Sequence, residues 1–333
     1  MKKIVLISIV AFMSIGPVTK LNAQTEILEV IKAGVKKIIK AVDGISFSLK
    51  KGEVFVLAGE SGSGKTTTAR LILRAIEPDS GTIFFDGIEI GKQSKTLDKI
   101  RMQCQIIHQD PYAAINPRMK ISDIIMEPLE IHKIGTRQER KKMVIDALQE
   151  VRLEPAEEIY DKYPHMLSGG QRQRIVLARA LVTKPKVIIA DEPVSMLDVS
   201  VRAEVLELMR DLQEKHGISY IYITHDLSTA RYLGQRIAII YLGKIVEVGP
   251  IDEVLLHPRH PYTQALIDAI SEADPENLNR DKKIRINEPI DVDVYQGCRF
   301  RSRCPYAIEK CKDEPPLDEV GKDRLAACFV KID

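Results

Sequence analysis

Short apolar runs punctuate the chain from Val35 onward. Val54–Ala58, Thr82–Phe85, Val187–Ala190, Tyr220–Ile223 and Ile237–Tyr241 each have the length and side-chain type of buried or half-buried strands. The stretches between them carry apolar residues at helical spacing, as in Thr67–Ile76. Strands alternating with helices predict an α/β sheet protein. From about Asp110 to Lys184 the strand pattern stops, and Ile121–Ile131, Gln138–Val151 and Gly170–Leu181 read as helices. That predicts a helical insertion within the sheet protein. After His257 the chain turns rich in Pro, charge and Cys, with one last helical stretch at Thr263–Ser271. The expected organisation is a main domain over residues 1–256, with a helical subdomain at about 110–184, and an appendage over 257–333.

Composition narrows the function classes. At 333 residues the chain exceeds one ordinary domain, and 44% hydrophobic with 29% charged residues is the mix of a globular protein with a core. Lys+Arg 49 against Asp+Glu 47 leaves +2, so no global basic field exists to hold nucleic acid. No apolar run is long enough to span a bilayer. The five cysteines are uneven: Cys104 stands alone, and Cys298, Cys304, Cys311 and Cys328 crowd the end. An odd, lopsided set does not describe a secreted disulfide framework. The N-terminus pulls the other way. Lys2-Lys3, the apolar Ile4–Ile15, Gly16-Pro17 and Asn22-Ala23 have the layout of a secretory signal peptide. A first β-strand fits the same residues.

Gly59-Glu60-Ser61-Gly62-Ser63-Gly64-Lys65-Thr66 fits G-x-x-x-x-G-K-[ST] between a predicted strand and a predicted helix. Glycines let successive N–H groups curl around phosphate oxygens at a helix N-terminus. Lys65 reaches the β- and γ-phosphates, and the Thr66 hydroxyl ligates Mg²⁺. Val187–Ala190 ends in Asp191-Glu192, one carboxylate suited to Mg²⁺ and one to polarising a water. In Leu167-Ser168-Gly169-Gly170-Gln171-Arg172 two glycines open a helix and make a second anion site from Ser168, Gly170 and free N–H groups.

That last segment resembles the signature sequence of ABC ATPases and precedes the Asp-Glu strand as in that family. The resemblance extends to Gln109 (Q-loop), to Ser195-Met196-Leu197-Asp198 (D-loop, with Met where Ala is common) and to His225 (switch histidine). It covers residues from about 35 to 333. It implies a P-loop NTPase of ABC type: a RecA-like α/β core with a β-subdomain, a helical insertion and a small Cys-rich extension. It further implies ATP and Mg²⁺ as ligands. Gly59, Ser61, Gly62, Ser63, Gly64, Lys65, Thr66 and Thr67 would take the phosphates; Thr66, Gln109 and Asp191 would hold Mg²⁺. Glu192, His225, Gln109 and Lys65 would be catalytic. Ser168, Gly170 and Gln171, with Asp198, would serve the head-to-tail dimer, the signature completing the partner subunit's ATP site. The family usually stacks an aromatic on adenine; Phe12 is the candidate, and the alternative is Ile27–Ile31 as first strand with only apolar contacts to adenine. Because an ATP-driven motor has no ATP outside the cell, the resemblance weakens the signal-peptide reading.

His257-Pro258-Arg259-His260-Pro261-Tyr262-Thr263, Gly297-Cys298-Arg299-Phe300-Arg301-Ser302-Arg303-Cys304-Pro305, and Ile115-Asn116-Pro117-Arg118-Met119 after Asp110-Pro111 resemble the oligopeptide/dipeptide branch. The branch implies peptide import, with relatives importing nickel or other small solutes. Its partners would be a second ATP-binding subunit, membrane permeases and, indirectly, a solute-binding protein, with the chain on the cytoplasmic face of the membrane. A non-transport ABC ATPase of DNA repair or translation is the other class, which a single cassette at +2 disfavours. The four late cysteines are separated by five, six and sixteen residues, without a close C-x₂-C pair. That looseness ranks a [4Fe–4S] cluster ahead of zinc; independent thiols or a disulfide pair remain the plain alternative. The branch's extensions are associated with a cluster. His257 and His260 read as loop punctuation, and Cys104 as a small residue near the Q-loop.

Overall fold

The computed structural model describes residues 5–6, 9–13, 21–24, 26–32, 35–91, 94–269 and 296–331, with backbone alone for the residues before 40 and for 94–96. These fall into two compact units. One comprises Met1–Ser48, Phe55–Glu89 and Thr224–Asp333; the other comprises Leu49–Val54 and Ile90–Ile223.

The first unit is built on strand Val54–Ala58, whose residues are all buried. A run apolar on both faces is what a strand covered from both sides requires. Arg236–Tyr241 pairs with it in parallel, Phe55 opposite Arg236 and Ala58 opposite Ile239. Lys244–Pro250 returns antiparallel, with a bulge between Ile239 and Ile240. The sheet then continues into the C-terminal segment: Arg324–Ala326 pairs with Lys244–Pro250, and Asp318–Gly321 with Arg324–Ala326. The cysteine-rich segment therefore shares a sheet with the strand that leads into the P-loop.

A second sheet in this unit holds Ile9–Met13, Leu21–Gln24, Ile45–Leu49, Ser80–Phe85 and Ile88–Glu89. Ile9–Met13 runs parallel to Ser80–Phe85, with Phe12 opposite Phe84. The strand reading of that segment is thus the one its backbone follows. Glu26–Lys32 and Val35–Lys40 form an antiparallel hairpin.

The second unit holds three parallel strands in the order Cys104–Ile107, Val187–Asp191, Ser219–Thr224. Its helices include Ile121–Ile131, Arg137–Glu150, Gly169–Leu181 and Val199–His216. The first three fall within a residue of the expected bounds. Thr136 and Glu139 close a reciprocal capping box that starts Arg137–Glu150. Strand Cys104–Ile107 is not among the runs expected from the sequence, because polar Gln105 interrupts its apolar pattern. Cys104 is buried there, and burial pushes its thiol up to about 12, so it packs as an inert small residue.

Candidate functional site

The P-loop leaves Val54–Ala58 at Gly59 and enters helix Lys65–Ile72 through Gly64. Gly59 has φ +151°, and a Cβ there would lie 2.2 Å from the Ile240 carbonyl oxygen. Gly64 has φ +105°, and a Cβ there would lie 2.1 Å from the Ala41 carbonyl oxygen. Backbone and not a movable side chain is met in both cases, so only glycine fits. Lys65 is buried, and its ammonium donates to the carbonyls of Gly59 and Glu60, each at 2.8 Å, and to Ser63 Oγ at 3.4 Å. The loop thereby fixes its own cation. Ser61, Gly62 and Thr66 are exposed, and Thr67 is half-buried.

His225 lies in the same unit as the P-loop, exposed in a pinned turn. Thr224 Oγ1 accepts the Asp226 N–H at 3.0 Å, and Asp226 Oδ1 caps helix Leu227–Leu233 by accepting from Ser228 at 2.9 Å. Both flanks of the histidine are held by these bonds.

In the second unit the parallel register places Ile107 opposite Ala190. Two residues further, Gln109 Nε2 donates to Glu192 Oε2 at 2.7 Å. Asp191 is buried at the strand end. Glu192 has φ +48°, a conformation rare for a side chain of its kind, and its N–H is tied to the Ile223 carbonyl at 2.9 Å. Ser195 Oγ donates back to the Glu192 carbonyl at 3.0 Å, closing the D-loop turn, and exposed Asp198 stands at the N-cap of Val199–His216.

Ser168 caps helix Gly169–Leu181 in a capping box with Gln171: the Gln171 N–H donates to Ser168 Oγ at 3.3 Å and the Ser168 N–H to Gln171 Oε1 at 3.0 Å. A Cβ on Gly170 would meet Val201 Cγ1 at 2.4 Å, which explains the residue's size. The guanidinium of Arg172 lies 4.4 Å over the Tyr112 ring, tying this helix to the turn that follows Gln109. The sequence identified Gln109, Glu192 and the signature individually. The direct Gln109–Glu192 bond and the Arg172–Tyr112 stack it did not, because each joins residues far apart in the chain. The Phe12 side chain lies outside the described residues.

All four late cysteines line one small pocket together with Phe300, Phe329 and Pro315. None of the four is in a disulfide; Cys304 and Cys311 are buried, Cys298 and Cys328 half-buried. Burial pushes Cys298 and Cys304 up to about 11 and raises Cys328 as well. Against that, the N–H groups of Phe300, Tyr306 and Val330 donate to the sulfurs of Cys298, Cys304 and Cys328. Among the described residues, no group of three or more His, Cys, Asp or Glu side chains is arranged to hold a metal ion. His260 lines the same pocket, and its Nδ1 caps helix Pro261–Asp268 by accepting the Tyr262 N–H at 3.0 Å.

Family models place the description "ABC transporter" on residues 42–195 and "Oligopeptide/dipeptide transporter, C-terminal region" on residues 246–311. A putative peptide import ATP-binding protein of Brucella ovis is 44% identical over 293 residues, covering 87% of this chain and 92% of that protein. The dipeptide transport ATP-binding protein DppF of Escherichia coli is 42% identical over 296 residues, covering 88% of each. The chain belongs to the ABC transporter ATP-binding subunits. This ABC ATPase is also similar to solved cassettes. A dimeric post-hydrolysis state of the ATP-binding cassette MJ0796 bound to ADP and Pi matches with TM-score 0.60 and 29% identity, over 68% of this chain and 96% of that one. The cassette cbiO1 of Clostridium perfringens matches with TM-score 0.60 and 30% identity, over 66% and 85%. No helix of this ABC ATPase, among the described residues, is long and apolar enough to cross a membrane.

Proposed function

We propose that this ABC ATPase powers uptake of di- or oligopeptides from the cytoplasmic face of the membrane. The observation that carries this reading is an ABC cassette followed by an oligopeptide/dipeptide-type C-terminal region, in a chain 42% identical over 296 residues to a dipeptide transport subunit. The cassette over 1–256 is the motor, and the extension over 257–333 is joined to it through strand Arg324–Ala326. The partners are a second ATP-binding subunit, integral-membrane permeases and, indirectly, a solute-binding protein.

In the proposed mechanism Gly59, Ser61, Gly62, Ser63, Gly64, Lys65, Thr66 and Thr67 bind the phosphates, and Lys65 neutralises charge on the β- and γ-phosphates. Thr66, Gln109 and Asp191 would be the residues that hold Mg²⁺, which would offset charge on the phosphates. Glu192 takes the proton of the attacking water, and its 2.7 Å bond from Gln109 supports that role by fixing the carboxylate's rotamer. His225 contacts the γ-phosphate. Ser168, Gly170 and Gln171 act on the ATP held by the second subunit, with Asp198 at the same interface. Glu192→Gln keeps the Gln109 contact within reach but removes the base. Turnover should fall by roughly 10²-fold or more, and the variant should accumulate as an ATP-bound dimer in size-exclusion chromatography. A variant that stays monomeric with ATP overturns the trans arrangement.

For the extension we propose a cysteine-ligated [4Fe–4S] cluster, with zinc second. Four thiols on one pocket support it, as do three backbone N–H groups aimed at the sulfurs, which stabilise thiolates and tune cluster potential. Cys298, Cys304, Cys311 and Cys328 would hold the cluster as thiolates, each giving up its proton on binding. Anaerobically purified protein should show a broad visible absorption band with stoichiometric iron and sulfide. A colourless protein carrying zinc, or no metal, excludes the cluster.

A further inference from the structure

Glu60, the second residue of the P-loop, is held on its backbone and on its side chain by residues far downstream. Its N–H donates to Tyr262 Oη at 2.9 Å. Its carboxylate receives a two-pronged bond from Arg303, Nη1 to Oε2 at 3.1 Å and Nη2 to Oε1 at 3.3 Å. Arg303 Nη1 also donates to Tyr241 Oη at 3.3 Å. Tyr241, Tyr262 and Phe300 pack as one ring cluster, with centroids 4.5 to 5.5 Å apart, and the Arg303 guanidinium lies over Tyr241 and Phe300. The Glu60 carbonyl, in turn, is one of the two that hold the Lys65 ammonium. One residue thus carries the grip of the C-terminal segment on one peptide group and the phosphate-binding cation on the next.

The far end of the loop is tied to the same segment. The Ser63 carbonyl accepts the Gly243 N–H at 2.8 Å. The neighbouring Leu242 carbonyl accepts from Arg299, which is buried and also paired with buried Asp43. Arg299 follows Cys298 and Arg303 precedes Cys304. Neither arginine belongs to any nucleotide-binding motif.

We propose that Arg303 and Tyr262 are positioning residues of the ATPase: they fix Glu60, and through its carbonyl Lys65, so that the C-terminal segment sets the nucleotide affinity of the P-loop. A flexible glycine-rich loop loses conformational freedom when phosphate binds, and a loop already held in place loses less. The reading rests on the ATPase activity and not on the proposed peptide substrate or cluster.

The test compares Arg303→Gln, Glu60→Gln, the double variant and Tyr262→Phe in the full-length chain. Binding of a fluorescent ATP analogue, steady-state KM and kcat, and urea unfolding are read on each. Arg303→Gln is expected to weaken nucleotide binding and raise KM about three- to fivefold, the scale of a half-exposed ion pair, with kcat changed less than KM. Glu60→Gln and the double variant should match it, since both break the same pair. Tyr262→Phe, which keeps the ring in its cluster, should weaken binding in the same direction. Arg303→Lys restores charge without the fork and should recover only part of the affinity. If nucleotide affinity is unchanged in Arg303→Gln and Tyr262→Phe while unfolding shifts, the contacts are merely structural and the proposal fails. It fails equally if the losses of Arg303→Gln and Glu60→Gln multiply in the double variant.

Discussion

Glu192 and His260 show what single residues reveal before and after folding. Glu192 is legible from the strand-plus-two-acids pattern, and so is Gln109 once the resemblance supplies its role. Their bond follows from the register of Cys104–Ile107 beside Val187–Asp191, and no local pattern encodes a register between strands so far apart. The histidine is legible only as a loop residue. In the fold it is 1% exposed, its Nδ1 accepts a helix N–H, and burial depresses it to about 3. Its neutral form is thus the native one. Above about 6.5 neither folded nor unfolded chain protonates it, and its contribution is fully present. As pH falls below 6.5 the unfolded chain gains a proton that the native state refuses, until the folded value is reached. By pH 5 this costs about 2 kcal/mol. His260→Asn keeps a capping acceptor without the titration. Urea midpoints measured from pH 7.5 to 5 should fall more steeply for the wild-type chain than for the variant.

Elements were read best where a long periodic pattern met a strong start signal. Helix Gly169–Leu181 has both, and the S-x-x-Q spacing of Ser168 and Gln171 is a capping-box signature in its own right. What the pattern leaves out is why the second glycine is needed. An anion site and a steric demand give the same residue. The structure supplies the steric demand, since a Cβ at Gly170 would lie 2.4 Å from Val201 Cγ1. Gly170→Ala should destabilise the fold by about 1–3 kcal/mol through overpacking. Adding Val201→Ala opens that space and should return most of the unfolding free energy. ATP hydrolysis should stay low in the double variant if the residue also closes on the partner's phosphate. Recovery of both stability and turnover would assign Gly170 to packing alone.

At the scale of the whole molecule the alternation of strands and helices was legible, and so was the change of character after His257. The way the tail joins the P-loop's own sheet was not. Asp318–Gly321 is exposed throughout and Arg324–Ala326 has three residues, too little for a strand pattern. The join is organised by a buried charge. Glu247, wholly buried, accepts the N–H groups of Arg259 and His260 at 3.0 Å each and the Arg324 guanidinium at 2.7 Å. One carboxylate therefore orders the start of helix Pro261–Asp268 and the last strand together. Glu247→Ala leaves a buried cation and two N–H groups without that acceptor, so the loss should be about 3–5 kcal/mol. Arg324→Leu alone leaves the carboxylate with its two backbone donors and should cost less. The cycle with Glu247→Ala/Arg324→Leu, read by urea unfolding, should show the double variant more stable than the sum of the singles predicts. Strict additivity would mean that the two ends are held independently, and that the tail's sheet pairing does not depend on this charge.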